Sequence, residues 1–378
     1  MKTFSTNING YIEGYYGRLL SWSERAQILE KLSVCNFNTY FYCPKEDLKH
    51  RLSWRKSYKK NWIEPFRSFC KKAKNSEINI LVGISPGLDF IFKEKSCDFK
   101  ILIKKTKQLK SYGATFIGLM FDDISPNSQN IDNKKPEGVL HAELANYLSE
   151  ELNEKIFVVP RVYCDELIEE DCTYLADFGK TIKKHISIFY CGKKIIAETN
   201  SNDELTTIKK FTSNEIIFWD NLYANDYCPK KIFIGPYIGR SNFDNTMINP
   251  TGLINTDLFI LDLIRHSVYQ DNNEIGWKKI LKLHQIPKQF QKIDKYFFPI
   301  NYKPNINSKK FDYNKQIEAL DFLLWKWKNS LSREWYQYML ILKQDLELLH
   351  GNLEPNRIEK IFPIPLKDTL LKIKWGNK

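Results

Sequence analysis

Residues that build metal and redox centres are few and poorly spaced in this 378-residue chain. Its six histidines form neither H-x-H nor H-E-x-x-H, which argues against a metal-dependent hydrolase. Eight cysteines, at 35, 43, 70, 97, 164, 172, 191 and 228, include no C-x-x-C pair, so they read as reduced thiols and no zinc site is expected. No G-x-G-x-x-G or Walker loop follows an apolar run, and no cofactor is expected. The first nine residues lack an apolar core of signal-peptide length, and no run approaches a membrane span. The expectation is a soluble, cytoplasmic protein with no membrane partner. The net charge of +12 would suit attraction to nucleic acid or an anionic glycan, but lysine is spread along the chain rather than clustered. A solvated surface accounts for that spread, and nucleic acid is not expected as a partner.

Short β-rich runs, by contrast, recur at 10–16, 38–43, 78–85, 115–121, 155–160, 185–191, 215–219 and 231–237. Stretches with helical spacing lie between most of them, at 23–32, 66–74, 99–109, 140–152 and 203–211, and a last one at 257–269 would close the set. Buried strands alternating with helices indicate an α/β fold, and eight of them a (β/α)8 barrel. An open doubly wound sheet would alternate in the same way, but the glycine-rich phosphate loop that often marks such sheets is missing.

Chemistry in such a barrel gathers where the strands end, at the C-terminal mouth. The ends carry Glu13-Gly14, Pro44-Lys45-Glu46-Asp47, Ser85-Pro86-Gly87, Asp122-Asp123, Arg161-Val162-Tyr163, Gly192-Lys193, Asp220-Asn221 and the stretch from Pro236 to Arg240. Asp122-Asp123 is the most informative of these. A carboxylate within the preceding apolar run would carry a desolvation cost, so the pair belongs where the strand leaves the core. Two like charges side by side raise the pKa of at least one, which makes it a proton donor near neutral pH. The same pair would also fit a plain loop entry or a cap for the next helix.

Further along, Ile12-Glu-Gly-Tyr-Tyr-Gly17, Tyr42-Cys-Pro-Lys-Glu-Asp47 with His50-Arg51 and Trp54-Arg55, Ser85-Pro-Gly-Leu88, Phe121-Asp-Asp-Ile124 and Trp219-Asp-Asn-Leu-Tyr-Ala-Asn-Asp-Tyr227 occur in order. Together they resemble glycoside hydrolase family 84, the β-N-acetylglucosaminidases that include the O-GlcNAcases and bacterial relatives once called hyaluronidases. The resemblance runs from about residue 12 to 249 and implies a (β/α)8 barrel, also called a TIM barrel. It implies a retaining exo-β-N-acetylglucosaminidase that uses substrate-assisted catalysis and removes terminal β-linked GlcNAc from proteins or small conjugates. In that chemistry the carbonyl oxygen of the sugar's 2-acetamido group attacks the anomeric carbon and forms an oxazoline, so no protein nucleophile is needed. Asp122 would accept the acetamido N–H and stabilise the developing positive charge. Asp123 would protonate the leaving oxygen and later deprotonate water.

The resemblance also implies substrate-binding roles. Gly14, without a Cβ, would let backbone approach the sugar, and Lys45 would reach a sugar hydroxyl. Tyr163 would hold the acetamido carbonyl and Trp219 would wall the acetyl group. Asn221, Asp226 and Asn249 would fix the acetamido group or the 4- and 6-hydroxyls. Each has a plainer reading: Lys45 a surface lysine, Trp219 a core tryptophan, Asn249 a turn residue before Pro250. His50, Arg51, Trp54 and Arg55 read as a structural staple. Three departures stand out: Pro160-Arg-Val-Tyr163 where the family pattern is Pro-Thr-Glu-Tyr, Tyr190-Cys-Gly-Lys193 for Trp-Thr-Gly-Pro, and Tyr223 for a histidine. They are expected near the mouth and leave the aglycone preference open. A GlcNAc-binding or glycoprotein-binding barrel without turnover is the alternative function.

The catalytic domain is expected to span 1–302, with a polar linker at 303–314 opening a C-terminal helical segment, 303–378. Helical spacing at 316–331 and 334–349 aligns Ile317, Leu320, Leu324 and Trp327 on one stripe and Trp335, Leu342, Leu346 and Leu349 on another. These helices read as a hairpin on a monomeric barrel, while the resemblance leaves open a homodimer formed through them.

Overall fold

The β-rich runs form strands because their side chains are buried on both faces. In the computed structural model, which describes residues 7–93, 96–126, 135–168, 173–240, 244–269, 273–299 and 312–351, the strands are β1 Gly10–Glu13, β2 Thr39–Tyr42, β3 Asn79–Ile84, β4 Phe116–Met120, β5 Phe157–Val159, β6 Ser187–Tyr190, β7 Ile216–Asp220 and β8 Thr246–Ile248. All neighbours are parallel and the sheet closes in chain order, with Gly10 of β1 beside Thr39 of β2 and Met247 of β8. The expected (β/α)8 barrel is present.

One strand is not where the sequence placed it. Residues 231–237 form no strand, and the eighth is the three-residue Thr246–Ile248. Pro236 lacks the N–H that a central strand must donate. The stretch is instead a buried loop held from outside, with Ile234 N donating to Phe297 O at 2.8 Å and Tyr223 donating to the Gly235 carbonyl at 2.8 Å.

Helices α1 Trp22–Val34, α2 Lys60–Asn75, α3 Cys97–Tyr112, α4 Glu137–Leu152, α5 Tyr174–Thr181, α6 Thr206–Phe211, α7 Ile254–Tyr269 and α8 Asn273–Leu283 follow in the same unit. Ser21 starts α1 through a reciprocal capping box with Glu24, which satisfies two otherwise unpaired N–H groups. Inside the barrel the packing is aromatic. Phe41 stacks on Phe189 with centroids 5.2 Å apart, and Trp219 meets both edge-on at 5.9 and 5.8 Å. Contacts of this kind add about 0.5–1.5 kcal/mol each beyond area burial.

The chain divides into two compact units, the first Met1–Gln285 with Phe297–Lys303, the second Ile286–Tyr296 with Pro304–Lys378. The sequence had not suggested that Ile286–Tyr296 groups with the C-terminal helices. Within the second unit, α9 Tyr313–Trp325 and α10 Ser330–Leu349 are joined by a four-residue turn and pack on each other, and Leu320, Leu323 and Leu324 of the first and Trp335, Tyr338 and Met339 of the second are buried. Asn329 and Ser332 cap α10 reciprocally, and Trp335 packs against Trp327 and Phe290 at 5.7 and 5.3 Å. The first of these helices stops six residues before its expected end at 331, and Leu349 is 76% exposed rather than part of the buried stripe. Most of the expected linker, 303–311, lies outside the described residues.

Candidate active site

Strand alternation decides which side chains reach the mouth. Ile12, Cys43, Met120, Trp219 and Met247 belong to the barrel interior, and the residues two positions on are Gly14, Lys45, Asp122, Asn221 and Asn249. Period-two geometry carries them to the same side. All five line one cavity of about 740 Å³, together with Asp123, Tyr163, Trp219 and Asp226. Every candidate position from the sequence is therefore in one place, and the revised β8 is what brings Asn249 there.

Asp123 needs a second device. By parity it should point outward like Phe121, whose ring stacks on His141 of α4 at 3.9 Å and 4°. Its φ of 57° breaks the alternation, in the left-handed region that Asp tolerates better than most residues. Both adjacent carboxylates consequently line the cavity.

The two carboxylates have unequal surroundings. Asp122 is 5% exposed; its Oδ2 is in close contact with Lys45 Nζ, and its Oδ1 is buried without a hydrogen-bond partner. Asp123 Oδ2 accepts the Tyr16 hydroxyl at 2.8 Å and lies 3.4 Å from Lys45 Nζ, while its Oδ1 accepts the Tyr163 hydroxyl at 3.0 Å. Burial pushes the Asp122 carboxyl up and repulsion from Asp123 adds to this, against the pull of Lys45. Burial also acts on Asp123, but Lys45 and the two hydroxyls outweigh it and hold that carboxyl below the usual range. The order within the pair follows the donors, one on Asp122 and three on Asp123. Burial works against the Lys45 charge, yet the two aspartates outweigh it and keep the ammonium protonated. Burial raises Tyr16 to about 12 and Tyr163 well above its usual value, so both remain donors.

On the opposite wall, Asn221 Oδ1 accepts from Trp219 Nε1 at 2.9 Å and from Asn249 Nδ2 at 3.0 Å, while its own amide donates to the Ile195 carbonyl. Asn249 Oδ1 in turn accepts from Gly14 N at 3.3 Å. These contacts lock the tryptophan face. Gly14 is required by that wall itself, because a Cβ there would sit 2.8 Å from Trp219 Cζ2. Asp226 accepts from the backbone N–H of Tyr16 at 2.9 Å and so ties the β1 loop to the β7 loop.

Three of the four residues expected to staple the loop after β2 do so. Arg55 binds Asp89 and Asp98, Trp54 stacks on Phe90 at 5.7 Å, and His50 Nδ1 donates to the Gly83 carbonyl at 2.9 Å. Arg51 does something else, donating to the Tyr16 hydroxyl and to the Asp123 carbonyl, each at 2.6 Å. Tyr16 and Arg51 are two residues touching Asp123 that sequence reasoning did not place at the site, although both lie inside the motifs quoted for the resemblance.

All three departures lie at or just after the C-terminal ends of strands, but only the one at Tyr190 and Cys191 lines the cavity. Arg161 is buried, its Nε donating to Glu137 at 2.8 Å and its guanidinium over the Tyr174 ring, and Tyr223 is buried against Gly235. Tyr190 and Cys191 do line the cavity, with the Tyr190 hydroxyl donating to Asp165 at 2.6 Å. Among the described residues, no group of three or more His, Cys, Asp or Glu gathers to hold a metal ion, and no helix is long and apolar enough to cross a membrane.

Comparison with known proteins bears on the same region. Residues 9–251 match the family model described as beta-N-acetylglucosaminidase. The proteins named Protein O-GlcNAcase from Mus musculus and Rattus norvegicus are each 31% identical over 241 residues, which is 61% of this chain and 26% of theirs. The chain thus spans about a quarter of the length of those curated relatives. Among solved structures, a mutant O-GlcNAc hydrolase from Thermobaculum terrenum aligns with TM-score 0.76 and 21% identity over 90% of this chain and 83% of its own. CpGH84B aligns with TM-score 0.76 and 22% identity over 97% and 72%. These two likenesses concern the fold.

Proposed function

The chain belongs to the β-N-acetylglucosaminidase family, and on that footing we propose that its cavity cleaves terminal β-linked GlcNAc with retention, the sugar's acetamido group acting as nucleophile. The observation that carries the reading is the convergence of Asp122, Asp123, Lys45 and Tyr163 in one cavity beside the Trp219 wall. In the first step the acetamido carbonyl oxygen bonds to the anomeric carbon as the glycosidic bond breaks, and the Asp123 proton passes to the leaving oxygen. Asp122 takes the acetamido N–H on its unpartnered Oδ1 and balances the oxazoline's positive character. In the second step Asp123 removes a proton from water, whose oxygen displaces the oxazoline oxygen and restores the β anomer. The substrate class is a β-GlcNAc conjugate, on protein or on a small aglycone; the name O-GlcNAcase of the mouse and rat relatives supports the protein-linked form.

The free site holds its protons in the opposite order, since Asp123 is the more readily ionised carboxyl. Substrate resolves the conflict. A bound acetamido carbonyl would draw the Tyr163 hydroxyl away from Asp123 Oδ1, and the acetamido N–H would add a donor to Asp122. Losing a donor raises one carboxyl and gaining a donor lowers the other, so binding itself turns Asp123 into the acid. The test is turnover of 4-nitrophenyl β-GlcNAc with the first-formed anomer read by NMR. Initial β-GlcNAc supports the proposal and initial α-GlcNAc overturns it. Folded protein that binds GlcNAc saturably without turnover would favour the alternative, a binding barrel.

A further inference from the structure

General acids have two oxygens, and only one can face the leaving group. On Asp123 the two are already distinguished. Oδ2 faces the Tyr16 hydroxyl at 2.8 Å and Lys45 at 3.4 Å, whereas Oδ1 faces Tyr163 alone among the described residues. A tyrosine hydroxyl carries a single proton, so its direction depends on what fills the oxygen's lone pairs. Arg51 Nη1 donates to that oxygen at 2.6 Å and leaves the Tyr16 proton to point at Asp123 Oδ2. The other arm of the same guanidinium, Nη2, donates to the Asp123 carbonyl at 2.6 Å and holds the residue whose left-handed backbone turns its side chain into the cavity.

Arg51 is presented from a fixed platform. Lys105 Nζ of α3 donates to the carbonyls of Lys49, Trp54 and Lys56 at 2.6, 2.7 and 3.0 Å. The His50 carbonyl accepts from Ser85 N at 2.9 Å, and Arg55 ties the loop to Asp89 and Asp98. Three carbonyls on one buried ammonium leave the loop little freedom, which suits a planar fork that must hold two acceptors at once.

We propose that Arg51 is a positioning residue for the acid, acting through Tyr16 and the Asp123 carbonyl to confine the transferable proton to Oδ1. With Oδ2 occupied by donors, a proton on Asp123 has Oδ1 as its place, the oxygen that Tyr163 vacates when it turns to the acetamido carbonyl. The proposal rests on the reading of Asp123 as the general acid. Without Arg51 the Tyr16 hydroxyl can rotate away and Oδ2 becomes a second home for the proton, from which transfer is misdirected.

The test compares Arg51→Met, Arg51→Lys and Asp123→Asn with the unaltered full chain. Each is assayed on 2,4-dinitrophenyl β-GlcNAc, which leaves without protonation, and on methyl β-GlcNAc, which does not. General-acid assistance is worth about 10²–10⁴-fold, so misdirecting the proton should lower kcat/KM on the methyl glycoside roughly 10-fold or more, against less than about 3-fold on the dinitrophenyl glycoside. The basic limb of the phenyl β-GlcNAc profile should also move to higher pH, because a cation and an enforced donor have gone. Equal losses on both substrates would mark Arg51 as merely structural and overturn the proposal, as would no loss on either. If Arg51→Met does not fold, Arg51→Lys is read by the same criterion, since lysine keeps the charge but lacks the two-pronged fork. Asp123→Asn separates the two levels. A split there without one at Arg51 refutes only the positioning role, whereas no split at Asp123 refutes the acid assignment beneath it.

Discussion

Tyr163 is asked to serve two partners in turn, and Tyr163→Phe should expose both. In the free protein its hydroxyl donates to Asp123 Oδ1 at 3.0 Å. A hydrogen bond to a charged group contributes about 1.5–3 kcal/mol, and one pKa unit corresponds to about 1.4 kcal/mol, which sets a ceiling of roughly one to two units. Tyr16 and Lys45 remain on the other oxygen, so a rise of about one unit in the free-state pKa of Asp123 is expected. The sign follows from the lost donor: the carboxylate is less stabilised and keeps its proton to higher pH. The basic limb of kcat/KM should therefore move up by about one unit, while kcat at the optimum falls on the order of 10²-fold because the acetamido carbonyl is no longer held for attack. The measurement is a pH–rate profile on phenyl β-GlcNAc, whose leaving group needs the acid. A limb that stays in place or moves down would refute the idea that Tyr163 stabilises ionised Asp123.

Two further substitutions probe different parts of the molecule. Asp122→Asn removes the anion facing the oxazoline and should lower kcat/KM on the order of 10²-fold or more, and weaken a thiazoline inhibitor in parallel; unchanged inhibitor affinity would dismiss its charge-balancing role. Arg161→Met removes the guanidinium that binds Glu137 in a largely buried ion pair, and urea melts should show a loss of stability with KM for aryl glycosides unchanged; a raised KM with intact stability would place Arg161 in the substrate's path instead.

Much of the site was legible because barrels obey two simple rules, alternation along strands and chemistry at their C-terminal ends. Gly14, Lys45, Asp122, Asn221 and Asn249 are each two residues beyond an interior side chain, which the chain order alone can supply once the strands are placed. The eighth strand was misplaced because Thr246–Ile248 is only three residues long, whereas 231–237 has the apolar content of a strand without the backbone partners. Arg51 was out of reach for another reason. Its partners Tyr16 and Asp123 lie 35 and 72 positions away on other loops, and nothing local distinguishes it from Arg55, which does staple its own loop. The proton order was equally hidden. Adjacent aspartates promise one raised carboxyl, but which one depends on surroundings the sequence does not show: burial raises Asp122, while Lys45 and the hydroxyls of Tyr16 and Tyr163 hold Asp123 down. The departures at Arg161 and Tyr223 bear on packing beside the site, since both side chains are buried and neither lines the cavity.

The participation of the substrate's own acetamido group is tested most directly by weakening that nucleophile without touching the protein. Fluorine on the acyl methyl withdraws electrons from the carbonyl oxygen, so kcat/KM for aryl glycosides of the N-acetyl, N-fluoroacetyl, N-difluoroacetyl and N-trifluoroacetyl sugars should fall steeply along the series. A nearly constant kcat/KM across the four would mean that the carbonyl oxygen does not attack, and would contradict the mechanism built on Asp122, Asp123 and Tyr163.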